Sequence, residues 1–453
     1  MPRQDYMRWR KPANRAFVQA SIAAFRDEPG EALEQIANLP PYAWEASDYW
    51  LDASGLALYF YNLLSETSMT HLAPASSLQR LRSNLRKNRR RTSGLFREFV
   101  ALNDLFSRHG IEYANLKGFT LCPHACATAE LRHQLDLDFL VAPEHLSLAR
   151  ECLEERGYRL SAATDRTWEF KTGNVMHRKR WDNYTLGTYR SVELHFGAFR
   201  KIEGHLGKDG RLLRLNDWSW RGKAFPALSP ADQLLGQALH LFSHFRNEST
   251  RPSWLLEFRR HVRSRQEDVT FWRRLMELGS GYPYAPIAFG LSTLITSKMF
   301  GRFAPPVVET WALSNLPQSL QLWAERYGIE AVLADFPGTK LYLLLETELE
   351  SLEGRRSSAM RERLIPMRRL RPCFTPTAPE SISDRLRRYV RTAQFALFRF
   401  RFHTTQALRI IVELPSWRRL RSNIPVPIDA TDSAVVEMTT CKQVHDNLNA
   451  ASR

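Results

Sequence analysis

The chain has 453 residues, 43% of them hydrophobic, with 12 tryptophans and a formal net charge of +16. That length allows about two to four domains, and that apolar content excludes wholesale disorder. A charge so positive favours polyanionic partners such as nucleotides, nucleic acid or anionic lipid, although a solvated basic surface gives the same balance.

Residues 1 to about 75 read as helical. Phe17, Ile22, Ala24 and Phe25 fall near helical spacing, the Leu56–Leu64 run is aromatic and aliphatic, and Pro40-Pro41 separates the pieces. No motif with chemistry lies there, and the N-terminus lacks the apolar run and cleavage site of a secretory leader. From Ser76 to Leu95 the chain carries Arg80, Arg82, Arg86, Lys87, Arg89, Arg90 and Arg91 with no acid, while Leu78, Leu81 and Leu85 keep a helical stripe. Such a run serves a nucleic-acid arm or, more commonly, a solvated helix face. A second helix is expected to follow, with Phe96, Phe99, Leu102, Leu105 and Phe106 on one side and His109-Gly110 ending it.

The rhythm then changes. Ile111–Leu116 reads as a short strand, Lys117-Gly118 as the turn into a helix, and Leu135–Val141 as a second strand stopped by Pro143. A helix from about Glu144 to Arg156 is capped by Gly157, and two or three strands occupy roughly 158–196, closing on Ser191–Phe196. Ser229-Pro230 opens a helical region reaching about Glu350, Ser suiting the N-cap and Pro the first helical position. The remainder is rich in arginine (Arg355, Arg356, Arg361, Arg363, Arg368, Arg369 and Arg371), and a loosely ordered tail is expected after Pro425 and Pro427. The organisation expected is a helical N-terminal region over 1–92, an α+β core over 93–225, a helical domain over 226–350 and a basic helical extension over 351–453.

Asp136-Leu137-Asp138 is the pattern that carries chemistry. On a strand, residues two apart point to one face about 6.5–7 Å apart. Two carboxylates so placed repel each other and suit a pair of divalent cations about 3.5–4 Å apart. Leu137 and Phe139 then face a core. An isolated Asp-x-Asp is common and specifies little, but three features join it. Lys117-Gly118 lies at a strand end, where glycine lets backbone N–H groups approach a phosphate. Glu193, on an alternating strand with Val192, Leu194 and Phe196 on its apolar side, supplies a third carboxylate if that strand lies beside Asp138. Arg132 adds a cation four residues before Asp136.

In order and spacing, Leu116-Lys117-Gly118, Arg132-x3-Asp136-Leu137-Asp138-Phe139-Leu140-Val141, Gly157-Tyr158 and Val192-Glu193-Leu194-His195 resemble the uncharacterised bacterial nucleotidyltransferase family of the DNA polymerase-β-like superfamily. Leu228–Leu235 with His240 and His244, and Trp254-Leu255-Leu256-Glu257, resemble the helical segment C-terminal to the catalytic core in that family, so the likeness spans roughly residues 93–262. It implies an α+β fold, a small mixed sheet with helices on one side, and a two-metal Mg²⁺ site held by Asp136, Asp138 and Glu193. It further implies a nucleoside triphosphate donor bound by Lys117, Gly118 and Arg132, and an acceptor hydroxyl on a small molecule, protein or RNA. His195, on the face of Glu193, and His240 would stand behind the ligands. Two residues depart from the superfamily pattern: bulky Phe119 follows Lys117-Gly118, and Glu193 replaces the Asp usual before Leu-His. An inactive nucleotide- or RNA-binding module of the same fold, or a toxin-like transferase modifying RNA or protein, are the competing readings.

Other signals point elsewhere or nowhere. Cys122, His124 and Cys126 lack the second ligand pair of a structural zinc site, and five scattered cysteines make no disulfide framework, which suits a reducing, cytoplasmic setting. His240 and His244 stand one turn apart without the intervening Glu of a metalloprotease, and read as packing histidines. The apolar stretch Gly281–Ser297 contains Pro283, Pro286 and Gly290 and ends at Lys298, too short to span a bilayer. Phe395, Phe398, Arg399, Phe402 and Arg409 mix aromatics with arginine as interfacial helices do, though a helix covering an apolar domain face has the same look.

Overall fold

The computed structural model describes residues 12–172, 184, 190–196, 210–282, 284–334, 338–354, 359–365 and 382–424. The expected tail after Pro425, and Arg355, Arg356, Arg368, Arg369 and Arg371, lie outside them. Two compact units emerge, one holding the chain up to Leu241 together with Arg251–Asn315, the other Phe242–Thr250 together with the chain from Leu316.

Among the described residues the first unit opens on four helices, α1 (Pro12–Ala23), α2 (Gly30–Ala37), α3 (Pro41–Ala53) and α4 (Ala57–Glu66). Pro40 precedes α3 with Pro41 inside its first turn, where a missing N–H costs nothing. The basic run and the helix after it are one element: α5 extends unbroken over Ala75–Arg108, 34 residues. Its arginines are not uniformly solvated, as a bare charged face would be. Arg80 bridges Asp48 at 3.0 Å and Asp52 at 2.5 Å, and Asn88 donates to the carbonyls of Glu130 and Arg132 at 2.7 and 3.0 Å. The helix thereby holds the loop that leads to Asp136.

Among the described residues, seven strands form one mixed sheet in the order β3-β4-β5-β2-β1-β7-β6: β1 (Tyr113–Leu116), β2 (Leu137–Val141), β3 (Arg159–Ala163), β4 (Thr167–Thr172), β5 (Arg190–His195), β6 (Leu215–Trp220) and β7 (Lys223–Leu228). Helix α6 (Leu146–Glu155) follows β2. Strand β2 runs antiparallel to β1 and parallel to β5. All five of its residues are buried, as a central strand requires. One face packs on α5, where Phe106 meets Tyr113 and Phe139 at ring distances of 5.3 and 5.2 Å. Ala114 and Leu140, which point the other way, pack with Leu212 and Leu228. The sequence pattern predicts no hairpin at β6–β7; Phe99, Trp218 and Phe225 make its contact with α5.

Helices α7 (Pro230–Phe245), α8 (Pro252–Arg263), α9 (Val269–Ser280), α10 (Ala285–Phe300) and α11 (Pro306–Ser314) follow. Ser229 and Pro230 start α7 as expected, Ser229 donating to Asp232 at 2.6 Å and receiving its N–H at 3.3 Å. The second unit contains α12 (Gln318–Trp323), α13 (Ile329–Leu333), α14 (Tyr342–Leu352), α15 (Ala359–Leu364) and the 41-residue α16 (Ile382–Ser422). Among the described residues, no helix is long and apolar enough to cross a membrane.

Candidate active site

Strand alternation and register create the site. In the β2–β5 ladder Asp138 is the direct partner of Glu193, and Leu140 of His195. Side chains two apart share a face, so Asp138, Glu193 and His195 project together on the side away from α5, while Val192 and Leu194 fill the core on the other. One oxygen each from Asp138 and Glu193 and one ring nitrogen of His195 all lie within 4.8 Å of one another. His195 Nε2 stands 3.0 Å from Asp138 Oδ1 and 3.3 Å from Glu193 Oε2, and its Nδ1 is 3.3 Å from Thr167 Oγ1. The ring is thus held from both ends.

Asp136 enters differently from the expectation. Strand β2 begins at Leu137 rather than Leu135, so Asp136 precedes the ladder. A side chain takes the place of a neighbouring strand: Gln134 Nε2 donates to the Asp136 carbonyl at 2.8 Å. Burial pushes the Asp136 carboxyl up to about 6, and the neighbouring charge of Asp138 pushes the same way. Asp138, also buried, would be raised by desolvation alone, but Lys117 and the hydrogen bond from His195 outweigh burial and hold it below the usual carboxylate range. Burial likewise opposes the imidazolium of His195, and hydrogen bonds to Asp138 and Glu193 lift it above the ordinary histidine value.

Lys117 Nζ lies 3.7 Å from Asp138 Oδ1, at the mouth of this face. Lys117 and Gly118 have φ of +48° and +53°, a conformation costly for lysine and natural for glycine. The turn is fixed by Thr120, whose hydroxyl and N–H both donate to the Lys117 carbonyl, at 2.8 and 3.0 Å. The helix expected after it is a single four-residue 3-10 turn, Gly118–Leu121, too short to offer a helix dipole to an anion. A Cβ on Gly118 would fall 2.5 Å from Gln134 Nε2, so the glycine also leaves room for the side chain that holds Asp136.

Arg132 is turned inward. Its Nε pairs with Glu257 Oε2 at 3.1 Å, and Tyr59 donates to the other Glu257 oxygen at 2.9 Å. Its charge lowers Asp136 from behind rather than reaching out to a phosphate. Arg251, which the sequence did not single out, acts on Asp136 in the same sense and lies 5.4 Å over the Trp254 ring. Burial and the like charge of Arg132 depress Arg251, and Asp136 counters them. His240 packs edge-on against Trp254 at 5.0 Å, and its charge is felt at Asp138. Cys122, Cys126 and Cys152 are free thiols; Cys122 and Cys126 sulfurs are 3.1 Å apart, and His124 stacks on His261 instead of joining them.

A family model described as uncharacterised nucleotidyltransferase matches residues 40–300, more than half of the chain. The chain belongs to the uncharacterised nucleotidyltransferase family. No curated protein matches it. The match begins within the N-terminal helices and covers α3 to α5 as well as the sheet. For a nucleotidyltransferase the donor set fits a divalent cation. Two carboxylates and an imidazole converge, with a further, half-buried carboxyl two residues away whose ionisation a cation would relieve.

Proposed function

We propose that this protein transfers a nucleoside monophosphate from a nucleoside triphosphate to an acceptor hydroxyl, with release of pyrophosphate. The observation that carries the reading is the register of Asp138 against Glu193 on parallel neighbours, with Asp136 two residues before. Asp136, Asp138 and Glu193 would hold two Mg²⁺ ions, which supply charge neutralisation at the transferring phosphoryl group and a more acidic acceptor hydroxyl. Lys117, 3.7 Å from Asp138, would meet the triphosphate with its positive charge, and the Gly118 turn would lie beside it. Glu193, the more exposed of the two ladder carboxylates, would help to take the acceptor's proton, and His195, in contact with both acids, would orient them. Arg132 and Arg251 keep Asp136 ionisable from behind.

Incubation of the protein with each α-labelled triphosphate, Mg²⁺ and a cell lysate tests this. The expected result is a labelled acceptor and pyrophosphate with wild type, and neither with the D136N/D138N double variant. Nucleotide binding without label transfer under any triphosphate would instead assign the chain to the inactive binding modules of this fold.

A further inference from the structure

Helix α16 presents apolar side chains on two sides. Phe402, Ala407, Ile410 and Trp417 are buried. A separate row, Leu386, Val390, Leu397, Phe400, Leu408 and Ile411, points to solvent, Leu397 being 70% and Phe400 66% exposed. Their spacings of three, four, seven and eight residues place them on one stripe about 38 Å long. Scattered surface leucines are ordinary, but an apolar stripe of this length, crossed by Thr404 between Phe400 and Leu408, marks an interaction surface.

Charge decides the occupant. The 41 residues of α16 contain ten arginines and two acids, Asp384 and Glu413. Glu413 is already committed within the unit, to Arg326 at 2.8 Å. Helical geometry sets Arg401 and Arg419 along one border of the stripe, both exposed. A second copy of the helix would bring arginine against arginine with one further acid per copy, Asp384, against ten arginines, which disfavours a homotypic coil. A nucleic acid would leave the apolar stripe in water. An anionic bilayer surface satisfies both features: leucine and phenylalanine enter the acyl boundary while flanking arginines reach lipid phosphates.

We infer that α16 is an interfacial helix that seats the protein on an anionic lipid surface, lying along it rather than crossing it. Sedimentation of the full chain with vesicles of phosphatidylcholine alone, or of phosphatidylcholine and phosphatidylglycerol in equal parts, tests this. Wild type should pellet with the anionic vesicles and stay in solution with the neutral ones. The L397E/F400E variant should bind about tenfold more weakly or worse, since two large apolar side chains are withheld from the bilayer. Both positions are solvent-facing, so its thermal midpoint should match wild type. The R401E/R419E variant, which leaves the stripe intact, should also lose anionic binding. Wild type remaining in solution with anionic vesicles would overturn the inference. So would a concentration-dependent dimer, measured by sedimentation equilibrium, that L397E/F400E dissociates.

Discussion

Asp138 and Glu193 stand directly opposite each other on the parallel strands β2 and β5, 55 positions apart in the chain, with the His195 ring touching both carboxylates. The two acids are nonetheless in unlike settings. Asp138 is buried and balanced by Lys117 and His195, whereas Asp136, two residues before it, is half-buried beside a like charge.

That difference predicts opposite stability effects for two isosteric changes. Without divalent cation near pH 8, D136N should raise stability by roughly 1–2 kcal/mol, because it removes the group whose ionisation the fold opposes. D138N should lower stability by a similar amount by stripping Lys117 and His195 of their partner. Urea midpoints of both variants against wild type decide the matter; two shifts of the same sign contradict it.

Saturating Mg²⁺ or Mn²⁺ should stabilise wild type by RT ln(1 + [L]/Kd), about 2.7 kcal/mol at a hundredfold excess over Kd. Calorimetric scans with and without cation should show that gain abolished in D138N and in E193Q, both of which remove a donor from the three-ligand cluster.

The Gly118 turn makes a separate prediction. G118A must hold φ at +53° with a Cβ and displace the Gln134 amide, which would lie 2.5 Å from it. The expected cost is about 1–2 kcal/mol, with nucleotide turnover reduced more than stability because Gln134 releases the Asp136 carbonyl. Combining G118A with Q134A should relieve the contact and recover part of the stability but not the turnover.

His261 sets an acid limit on the fold. Burial first, then the charges of His124 and Arg265, lower its pKa to about 3, and its Nδ1 lies 2.6 Å from Gln237 Oε1. The native protein holds this ring neutral while the unfolded chain protonates near 6.5, so its contribution is complete above that value and is lost as pH falls towards about 3. Thermal midpoints measured from pH 7 to pH 4 should fall more steeply for wild type than for H261Q.

Arg132 should prove more important to folding than its place four residues before Asp136 suggests. Glu257 is 3% exposed and depends on Arg132 and Tyr59, so R132A strands a buried carboxylate and should cost about 3–5 kcal/mol. The R132A/E257Q pair should recover much of that loss in chemical denaturation. Recovery of folding without recovery of turnover would separate the charge behind Asp136 from the ion pair itself.

Features governed by local period and short-range chemistry were legible in the amino-acid order alone. The Pro40-Pro41 break, the start of α7 at Ser229-Pro230, and the apolar strand around Asp136 and Asp138 arise from alternation and turn residues, which act over a few positions. The polar side of Ser191–Phe196 was equally legible, because Val192, Leu194 and Phe196 alternate with Glu193 and His195. The hairpin β6–β7 was not. Its exposed first strand and Pro226 blur the pattern of two, and its burial comes from aromatic contacts with a helix more than a hundred residues earlier. Folding in three dimensions set Glu193 opposite Asp138, since that register depends on the β3–β4 hairpin taking the sheet edge and leaving β5 beside β2. It also turned Arg132 towards Glu257, 125 residues on, and chose Gln134 to hold Asp136. Those are pairings between separate segments, and no local preference encodes which of several possible partners a buried charge will meet.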